Sequence, residues 1–270
     1  MIRSIHVFLG ILVLCMPLSA GAALLDWDTS TWPETNPATL TQTYNIESQD
    51  LSVEISGDQD WYRYGRWDQY SAEPHTGTQS GGISFEGGLG GEDTLLLFME
   101  YDDLANDELT ITFDFSDYDY GVENIAFSII DIDNSNDLGS WAWTDDITLT
   151  ASLDGVAIDT SDISITGNPS YHSVTDNRIL GTDTADNDSS QGTAAFSINT
   201  RIDQFTLSYR NDYAGSITGM TTGQAIGIHD IAFDVADVTS VPEPSVMALM
   251  AIGALVVFTF EIKRLGRLKV

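Results

Sequence analysis

Carboxylates crowded into a loop are the side chains of this sequence best suited to chemistry. The stretch DIDNSND holds Asp131, Asp133 and Asp137 at the end of a predicted strand. Crowded oxygen ligands suit Ca²⁺. Because Asp131 shares the parity of the inward-facing residues of that strand, its carboxylate needs a partner such as a cation or an arginine. We therefore predict a structural calcium site formed by Asp131, Asp133, Asp146 and Asp230.

The alternative is that these acids are solvated turn residues that also begin and end strands. The stretch is not an EF-hand, because Asn136 stands where that loop needs glycine and Ala142 where it needs a bidentate glutamate. Either Asp145 or Asp146 begins the next predicted strand, and we choose Asp146 as the predicted calcium ligand. The stretch GTDTADNDSS is a second acidic loop, either a metal site or solvated, with carboxylates at Asp183, Asp186 and Asp188.

An aromatic run, DWYRYGRWDQY, is the second candidate for binding. Trp61, Tyr64 and Trp67 form a possible platform on which sugar rings stack. The neighbouring Arg63 and Arg66 would then hydrogen-bond the sugar hydroxyls. The alternative is that these aromatic residues pack into the core or support a long loop.

Signatures of catalysis are weak. The histidines after residue 22 are widely spaced, at His75, His172 and His229, and no cysteine follows Cys15. The sequence contains no HExxH or GxSxG motif, and EGGLGGED lacks the Lys-Ser/Thr of a phosphate-binding loop. Glycoside hydrolysis needs a pair of carboxylates, but nearly every predicted turn carries an acid, so the sequence does not single out such a pair. We predict a protein that is not an enzyme.

Apolar and polar residues alternate with a period of two, so we expect β-strands to position the carboxylates and aromatic residues described above. LTITFDF alternates apolar and polar residues, and DITLTASL, FTLSYR and IGIHDIAFDV continue the pattern. We predict strands at 40–46, 51–56, 82–86, 94–101, 108–115, 122–132, 145–153, 155–159, 162–166, 192–198, 202–210 and 226–235. These strands predict an all-β fold, an antiparallel β-sandwich of jelly-roll type, in one domain spanning 23–240.

The charge of the chain is strongly negative. Its 270 residues include 41 acids against 10 lysines and arginines, for a formal net charge of -31. Such a surface repels nucleic acid and attracts divalent cations. The hydrophobic fraction of 42% supplies enough apolar material for a packed core rather than a disordered chain. Between residues 23 and 240 the sequence has no lysine, and its arginines are Arg63, Arg66, Arg178, Arg201 and Arg210.

The N-terminus has the three parts of a secretory signal peptide. Arg3 supplies the positive charge, 7–18 is apolar, and the small residues 20–22 form a cleavage site. We predict a signal peptide at 1–22, removed after Ala22. The alternative is an uncleaved membrane anchor.

The C-terminus, residues 241–270, has an equally ordered plan. An apolar stretch at about 245–262 is predicted to be a short transmembrane helix, and a basic tail at 263–270 would hold the chain end in the cytoplasm. The membrane stop consists of Lys263, Arg264 and Arg267. A proline-stiffened tetrapeptide precedes the helix: Val241, Pro242, Glu243 and Pro244.

This C-terminal plan resembles the PEP-CTERM sorting signal of exported proteins of Gram-negative bacteria. The resemblance implies processing by exosortase, a membrane peptidase, in systems that accompany exopolysaccharide production, and a final location at the cell surface or in the biofilm matrix. The two prolines make physical sense, because they hold the stretch extended for a peptidase cleft. The alternative is an ordinary C-terminal membrane anchor.

The middle of the chain resembles a recurrent domain of bacterial secreted proteins with lectin-like jelly rolls. The similar stretches are VENIAFSIIDID, WTDDITLTASLDGVAI and GQAIGIHDIAFDV, within 95–235. This resemblance implies a fold and a location but no activity. We therefore expect a non-enzymatic exported surface or biofilm-matrix protein associated with exopolysaccharide. The second candidate is a carbohydrate-binding module, and the third is a secreted glycan-active hydrolase.

Overall fold

The computed structural model describes residues 22–33, 40–57, 74–80, 83–101, 108–137, 141–212 and 222–237. Antiparallel strands account for most of these residues. The strands are β1 (Ala23–Leu25), β2 (Thr41–Ile46), β3 (Gln49–Gly57), β4 (His75–Gly77), β5 (Gln79–Ser80), β6 (Ile83–Ser84), β7 (Thr94–Tyr101), β8 (Glu108–Asp114), β9 (Val122–Ile130), β10 (Asn134–Asp137), β11 (Trp141–Leu153), β12 (Val156–Ala157), β13 (Ile163–Thr166), β14 (His172–Thr175), β15 (Arg178–Gly181), β16 (Ala194–Ile198), β17 (Gln204–Asn211), β18 (Thr222–Ile228) and β19 (Ile231–Val235). The described helical structure consists of two 3₁₀ turns, Thr160–Asp162 and Ser190–Gly192.

The strands form two large sheets in a sandwich-like arrangement. The first sheet has the order β1-β19-β9-β18-β7-β4, and β16 and β13 extend it from the other edge of β9. The second has the order β14-β15-β11-β17-β8-β3-β2, with β10 and β12 also paired to β11. The short β5 and β6 pair only with each other within the described residues. The predicted all-β class is confirmed, whereas the jelly-roll connection order stays a prediction.

The period-two pattern places one face of each sheet in the core. In β8, Leu109, Ile111 and Phe113 are buried while the residues between them are not. The neighbouring strand β17, which pairs with β8 in the same sheet, buries Phe205 and Leu207 in the same way. Since side chains alternate between the two faces of a strand, this burial follows directly from the sequence pattern.

Stacked phenylalanines join the two sheets across the core. Phe205 of the second sheet lies 4.5 Å from Phe113 of the same sheet and 5.3 Å from Phe127 of the first sheet, measured between ring centroids. Phe127 in turn stacks on Phe196 at 5.2 Å. The four rings form a continuous ladder, here called the phenylalanine ladder, that runs from one sheet into the other.

Two strand boundaries differ from the prediction in ways that matter for the site. The predicted strand 226–235 is divided into β18 and β19, because His229 and Asp230 leave the pleat. β11 begins at Trp141 rather than Asp145, so both Asp145 and Asp146 lie inside a strand. Short strands such as β1, β4 and β10 were not predicted, since three or four residues carry too little periodicity.

Several predicted segments lie outside the described residues. They are most of the signal peptide (1–21), the aromatic run with Trp61, Tyr64 and Trp67, and the C-terminal segment from Val241. Among the residues that the structure describes, no helix is long and apolar enough to cross a membrane.

Candidate functional site

The structure brings the two acidic loops of the sequence together at one end of the sandwich. One is 131–133, between β9 and β10, and the other is 182–193, between β15 and β16. Backbone N–H groups of the first loop and of β10 donate to carbonyl oxygens of the second, from Ile132 to Gly192 at 2.8 Å and from Asn134 to Asp183 at 3.2 Å. The Thr184 hydroxyl donates back to the Asn134 carbonyl at 2.7 Å. The two loops therefore form one structural unit, here called the acidic double loop.

Asp133 is the side chain that holds the acidic double loop together. Its Oδ1 accepts a hydrogen bond from Trp143 Nε1 at 2.6 Å, and its Oδ2 accepts one from the Ala185 backbone at 3.0 Å. Burial raises the pKa of Asp133, and these two hydrogen bonds lower it in part. Gly181 permits the close approach, because a Cβ there would lie 2.0 Å from the Asp133 carbonyl oxygen.

Asp131 is also buried, but it has no such partners. It is 8% exposed and adopts a left-handed backbone conformation with φ of 64°. Its Oδ1 is fully buried and has no hydrogen-bond partner among the described residues. Burial raises the pKa of Asp131 well above its usual value, and the negative charges of Asp133, Asp186 and Asp188 raise it further. An unpaired buried carboxylate of this kind is costly unless a proton or a cation neutralises it.

Asp145 adds another carboxylate beneath Asp133. It is completely buried, and its Oδ2 accepts a hydrogen bond from the Asp133 backbone at 2.8 Å. Burial raises the pKa of Asp145 well above its usual value, and nearby Asp133 adds to the rise, against hydrogen bonds from the Asp133 backbone and from Tyr209. The interior around the acidic double loop is therefore strongly electronegative.

Asp146, one of the predicted calcium ligands, has a different environment. Arg178 binds its carboxylate in a bidentate manner, with Nε–Oδ1 at 2.6 Å and Nη2–Oδ2 at 2.9 Å. Arg210 Nε also donates to Oδ2. Arg178 Nη2 further donates to Asp212 at 3.0 Å. Both oxygens of Asp146 are thus taken up by arginine, on the face of β11 opposite to the one that carries Asp145.

Asp230 lies in a third place, between β18 and β19. Its Oδ1 accepts a hydrogen bond from the Trp27 backbone at 2.9 Å. Glu92, His229 and Asp230 each offer a ligand atom, and these atoms all lie within 4.8 Å of one another. Burial raises the pKa of Asp230, and the Trp27 hydrogen bond counteracts it. One imidazole and two carboxylates form a mixed set of nitrogen and oxygen donors, which suits a transition metal better than calcium.

The four predicted calcium ligands are therefore distributed over three environments. Asp131 and Asp133 lie together in the acidic double loop, Asp146 is paired with arginines, and Asp230 belongs to the group with Glu92 and His229. In the part of the chain that the structure describes, the four do not form a group whose ligand atoms all lie within 4.8 Å of one another. Calcium binding itself stays a prediction.

The predicted calcium site left out three residues of these environments, Asp145, Glu92 and His229. Asp145 was detectable, because the predicted strand 145–153 already gives it the parity of the inward-facing Ile147 and Leu149. Glu92 and His229 were not, because only the tertiary contact between the loop before β7 and the break after β18 brings them together.

An open groove crosses the outer face of the first sheet, and His229 and Asp230 are among the residues that line it. It has a volume of about 500 Å³. Paired strands contribute small side chains to its floor, since Ala126 lies opposite Ser197 and Ser128 opposite Ala195. Leu24, Ser164, Thr166 and Ala232 also line the groove. Five strands, β1, β19, β9, β16 and β13, give it a length of about 19 Å at the usual strand spacing.

By fold, the described part of the chain is an all-β protein with two antiparallel sheets. Residues 240–264 match the PEP-CTERM protein-sorting motif. The chain carries this sorting signal, so the resemblance of its C-terminus is confirmed, and processing by exosortase follows from that family. The signal indicates export and transient membrane association before surface or extracellular localisation. No curated protein and no solved structure is significantly similar to the chain.

Proposed function

We propose that the chain is a non-enzymatic surface or biofilm-matrix protein that associates with exopolysaccharide. The observation that carries this proposal is the sorting motif at 240–264, which follows the all-β region. Exosortase systems accompany exopolysaccharide production in the bacteria that use this signal, so an exported substrate reaches the compartment where the polymer accumulates.

The charge of the protein limits which polymers it binds directly. A chain with a formal net charge of -31 repels acidic polysaccharide at low salt. Association with an acidic polymer therefore requires bridging divalent cations, whereas association with a neutral polymer does not. Co-sedimentation with and without a chelator separates these two cases.

The test is to isolate the native protein from the surface and matrix fractions and to measure its intact mass. We expect a chain that starts at Ala23, ends near Pro244 and co-fractionates with exopolysaccharide. A strain without the exosortase is the control, and it should retain the C-terminal segment. A mature chain with its complete tail would mean a plain membrane anchor, and equal fractionation in a strain without exopolysaccharide would contradict the association.

A carbohydrate-binding module is the second candidate, and the groove on the first sheet is the observation that favours it. Its floor presents the hydroxyl groups of Ser128, Ser164 and Thr166 on a surface long enough for several sugar units. Hydroxyl donors and acceptors over a shallow surface match the chemistry of a glycan. Direct binding by this groove would make the protein a lectin-like component of the matrix.

A bulky substitution in the floor of the groove tests the second candidate. Ala195 is exposed in the middle of the groove, so Ala195→Trp should block it without removing a hydrogen bond. Thr150→Trp on the exposed face of the second sheet is the matched control. Binding by the groove is supported if Ala195→Trp loses polysaccharide pull-down and Thr150→Trp keeps it. If Trp67→Ala loses pull-down and Ala195→Trp keeps it, binding is assigned to the aromatic run.

Incubation with a panel of polysaccharides tests the prediction that the protein is not an enzyme. We expect no release of reducing ends after incubation with the wild-type chain. Release that a single Asp→Asn substitution abolishes would identify a glycan-active hydrolase instead.

A further inference from the structure

The carboxylate of Asp131 is buried without a partner at the point where the two acidic loops meet. Its Oδ1 has no hydrogen-bond partner among the described residues, and the side chain is 8% exposed. None of the three described arginines neutralises it, because Arg178 and Arg210 both bind Asp146. Arg201 lies beside Gly121, next to the start of β9, whereas Asp131 follows the end of that strand. The sequence between residues 23 and 240 contains no lysine.

The neighbouring histidine does not supply the missing positive charge. His172 accepts a hydrogen bond from the Asn168 backbone at Nδ1, at 2.9 Å, and donates from Nε2 to the Ile132 carbonyl at 3.0 Å. This pair of contacts requires the neutral imidazole with its proton on Nε2. Burial lowers the pKa of His172, which also favours the neutral form.

The groups around Asp131 select the class of cation. Asp186 and Asp188 are exposed carboxylates of loop 182–193, close enough for their charges to act on Asp131. The available side-chain donors are oxygens, since His172 uses both ring nitrogens and the described loops contain no cysteine. Hard oxygen ligands suit Ca²⁺, which accepts six to eight oxygens, including backbone carbonyls and water.

We propose that the acidic double loop is a calcium site in which Asp131 is the buried ligand and Asp186 and Asp188 are the ligands that close it. Asp133 is a positioning residue, because hydrogen bonds from Trp143 and Ala185 occupy both of its oxygens. The three ligand carboxylates do not form a preassembled group among the described residues. Binding therefore draws loop 182–193 towards Asp131 and fastens it to the end of β9.

This site is independent of the proposed function, because it concerns the stability of the folded domain and not its ligand or location. A cation that binds only the native state stabilises it in proportion to the logarithm of its concentration. Exported proteins meet calcium at concentrations that saturate sites of 10⁻⁴–10⁻³ M. The loop would therefore close after export.

Calcium titration of the purified full-length chain in detergent, after treatment with a chelator, is the test. Calorimetry and the melting temperature are measured with CaCl₂ and with MgCl₂ at equal ionic strength. We expect calcium to bind and to raise the melting temperature, with a smaller effect of magnesium. In Asp186→Asn/Asp188→Asn, calcium affinity should fall by about tenfold or more, because two charged ligands are lost.

Two further variants separate ligation from general charge effects. Asp131→Asn should abolish the calcium-dependent rise and should raise the melting temperature of the calcium-free protein, because it removes an unpaired buried charge. Asp154→Asn/Asp176→Asn removes two exposed charges at distant turns and should leave the affinity within about twofold. A residue with only a structural role would instead lower the melting temperature in both conditions.

Three results would overturn the site. The first is a rise in melting temperature that is the same with calcium as with magnesium, and the same in wild type as in Asp131→Asn. This result would indicate charge screening alone. The second is unchanged affinity in Asp186→Asn/Asp188→Asn. The third is calcium binding that persists in Asp131→Asn and is lost in Asp230→Asn, which would place the ion at the Glu92 group.

Discussion

Asp145 and Asp146 are adjacent in β11, yet their carboxylates have opposite surroundings. Asp145 faces inward and lies beside other acids, whereas Asp146 faces outward and is bound by two arginines. The alternation of side chains along a strand separates the two. A shift of the strand by one residue would place the paired acid in the electronegative interior and the unpaired one among the arginines.

Asp146 should contribute measurably to stability through its arginine pairs. Asp146→Asn removes the charge but keeps the shape, and we expect the free energy of unfolding to fall by about 2–3 kcal/mol. Arg178 and Arg210 are 34% and 44% exposed, so water partly replaces the lost contacts and keeps the cost below that of a fully buried pair. Urea denaturation measures the change.

The control for this substitution is Asp212→Asn. Asp212 also binds Arg178, but its side chain is 51% exposed. Loss of such a surface pair should cost about 1 kcal/mol or less. Equal losses in the two variants would show that Asp146 has no special role.

His172 should give the fold a pH dependence near neutrality. Its pKa is lowered from the usual 6.5 by burial, so the unfolded chain binds the proton more strongly than the native chain does. The stability that neutral His172 contributes is therefore complete above pH 6.5 and is lost as pH falls through the lower native pKa.

The comparison with His172→Gln isolates this contribution. Glutamine can still donate to the Ile132 carbonyl but does not titrate. In the presence of a chelator, the advantage in melting temperature of wild type over the variant should shrink as the pH is lowered from about 7.5 to about 5. Buried acids affect both chains equally and cancel in the difference. A difference that stays constant over this range would contradict the prediction.

At the scale of elements, the facing strands are held together by aromatic contacts as well as by aliphatic ones. The phenylalanine ladder connects β8 and β17 of the second sheet with β9 and β16 of the first. Phe205 is one of the two inner rings of the ladder, completely buried and stacked on both sides. The ladder therefore sets how the two sheets lie against each other.

Removal of the Phe205 ring should be among the most damaging single changes. We expect Phe205→Ala to lower the free energy of unfolding by about 3–5 kcal/mol, because it leaves a cavity and interrupts both stacks. Val156→Thr, at a position 70% exposed, is the control and should stay within about 0.5 kcal/mol. Chemical denaturation measures both. A loss below about 1 kcal/mol for Phe205→Ala would mean that the sheets do not pack through the ladder.

At the scale of the whole molecule, charge is the dominant feature outside the core. The formal net charge is -31 on 270 residues, so the acidic side chains repel one another in the compact folded state. Export through the sorting signal places this charge in a medium whose mono- and divalent cations screen it. Acidity that destabilises the isolated chain is therefore tolerated at its destination.

Salt should consequently stabilise the protein. With a chelator present, raising NaCl from about 0.05 M to about 0.5 M shortens the screening length from roughly 14 Å to roughly 4 Å. We expect the melting temperature to rise by several degrees over this range. An unchanged or falling melting temperature would show that the acids are too far apart to repel one another.

The sequence alone was enough for the all-β class, the inward faces of the long strands and the sorting signal. Strict alternation in LTITFDF leaves one face for the core, and the order of Pro-Glu-Pro, apolar stretch and basic tail is local in the chain. These features need no knowledge of distant contacts. Strand ends were less predictable, as β11 and the break between β18 and β19 illustrate.

Only the tertiary structure could decide which acids share an environment. Asp131 lies near loop 182–193 because strands that are far apart in the sequence end on the same side of the molecule. Asp230 lies near Glu92 for the same reason. Whether a carboxylate is paired with arginine or left alone depends on which strands become neighbours, and hydrogen bonding between strands sets that order. Composition predicts many acids, but burial and neighbours determine their chemistry.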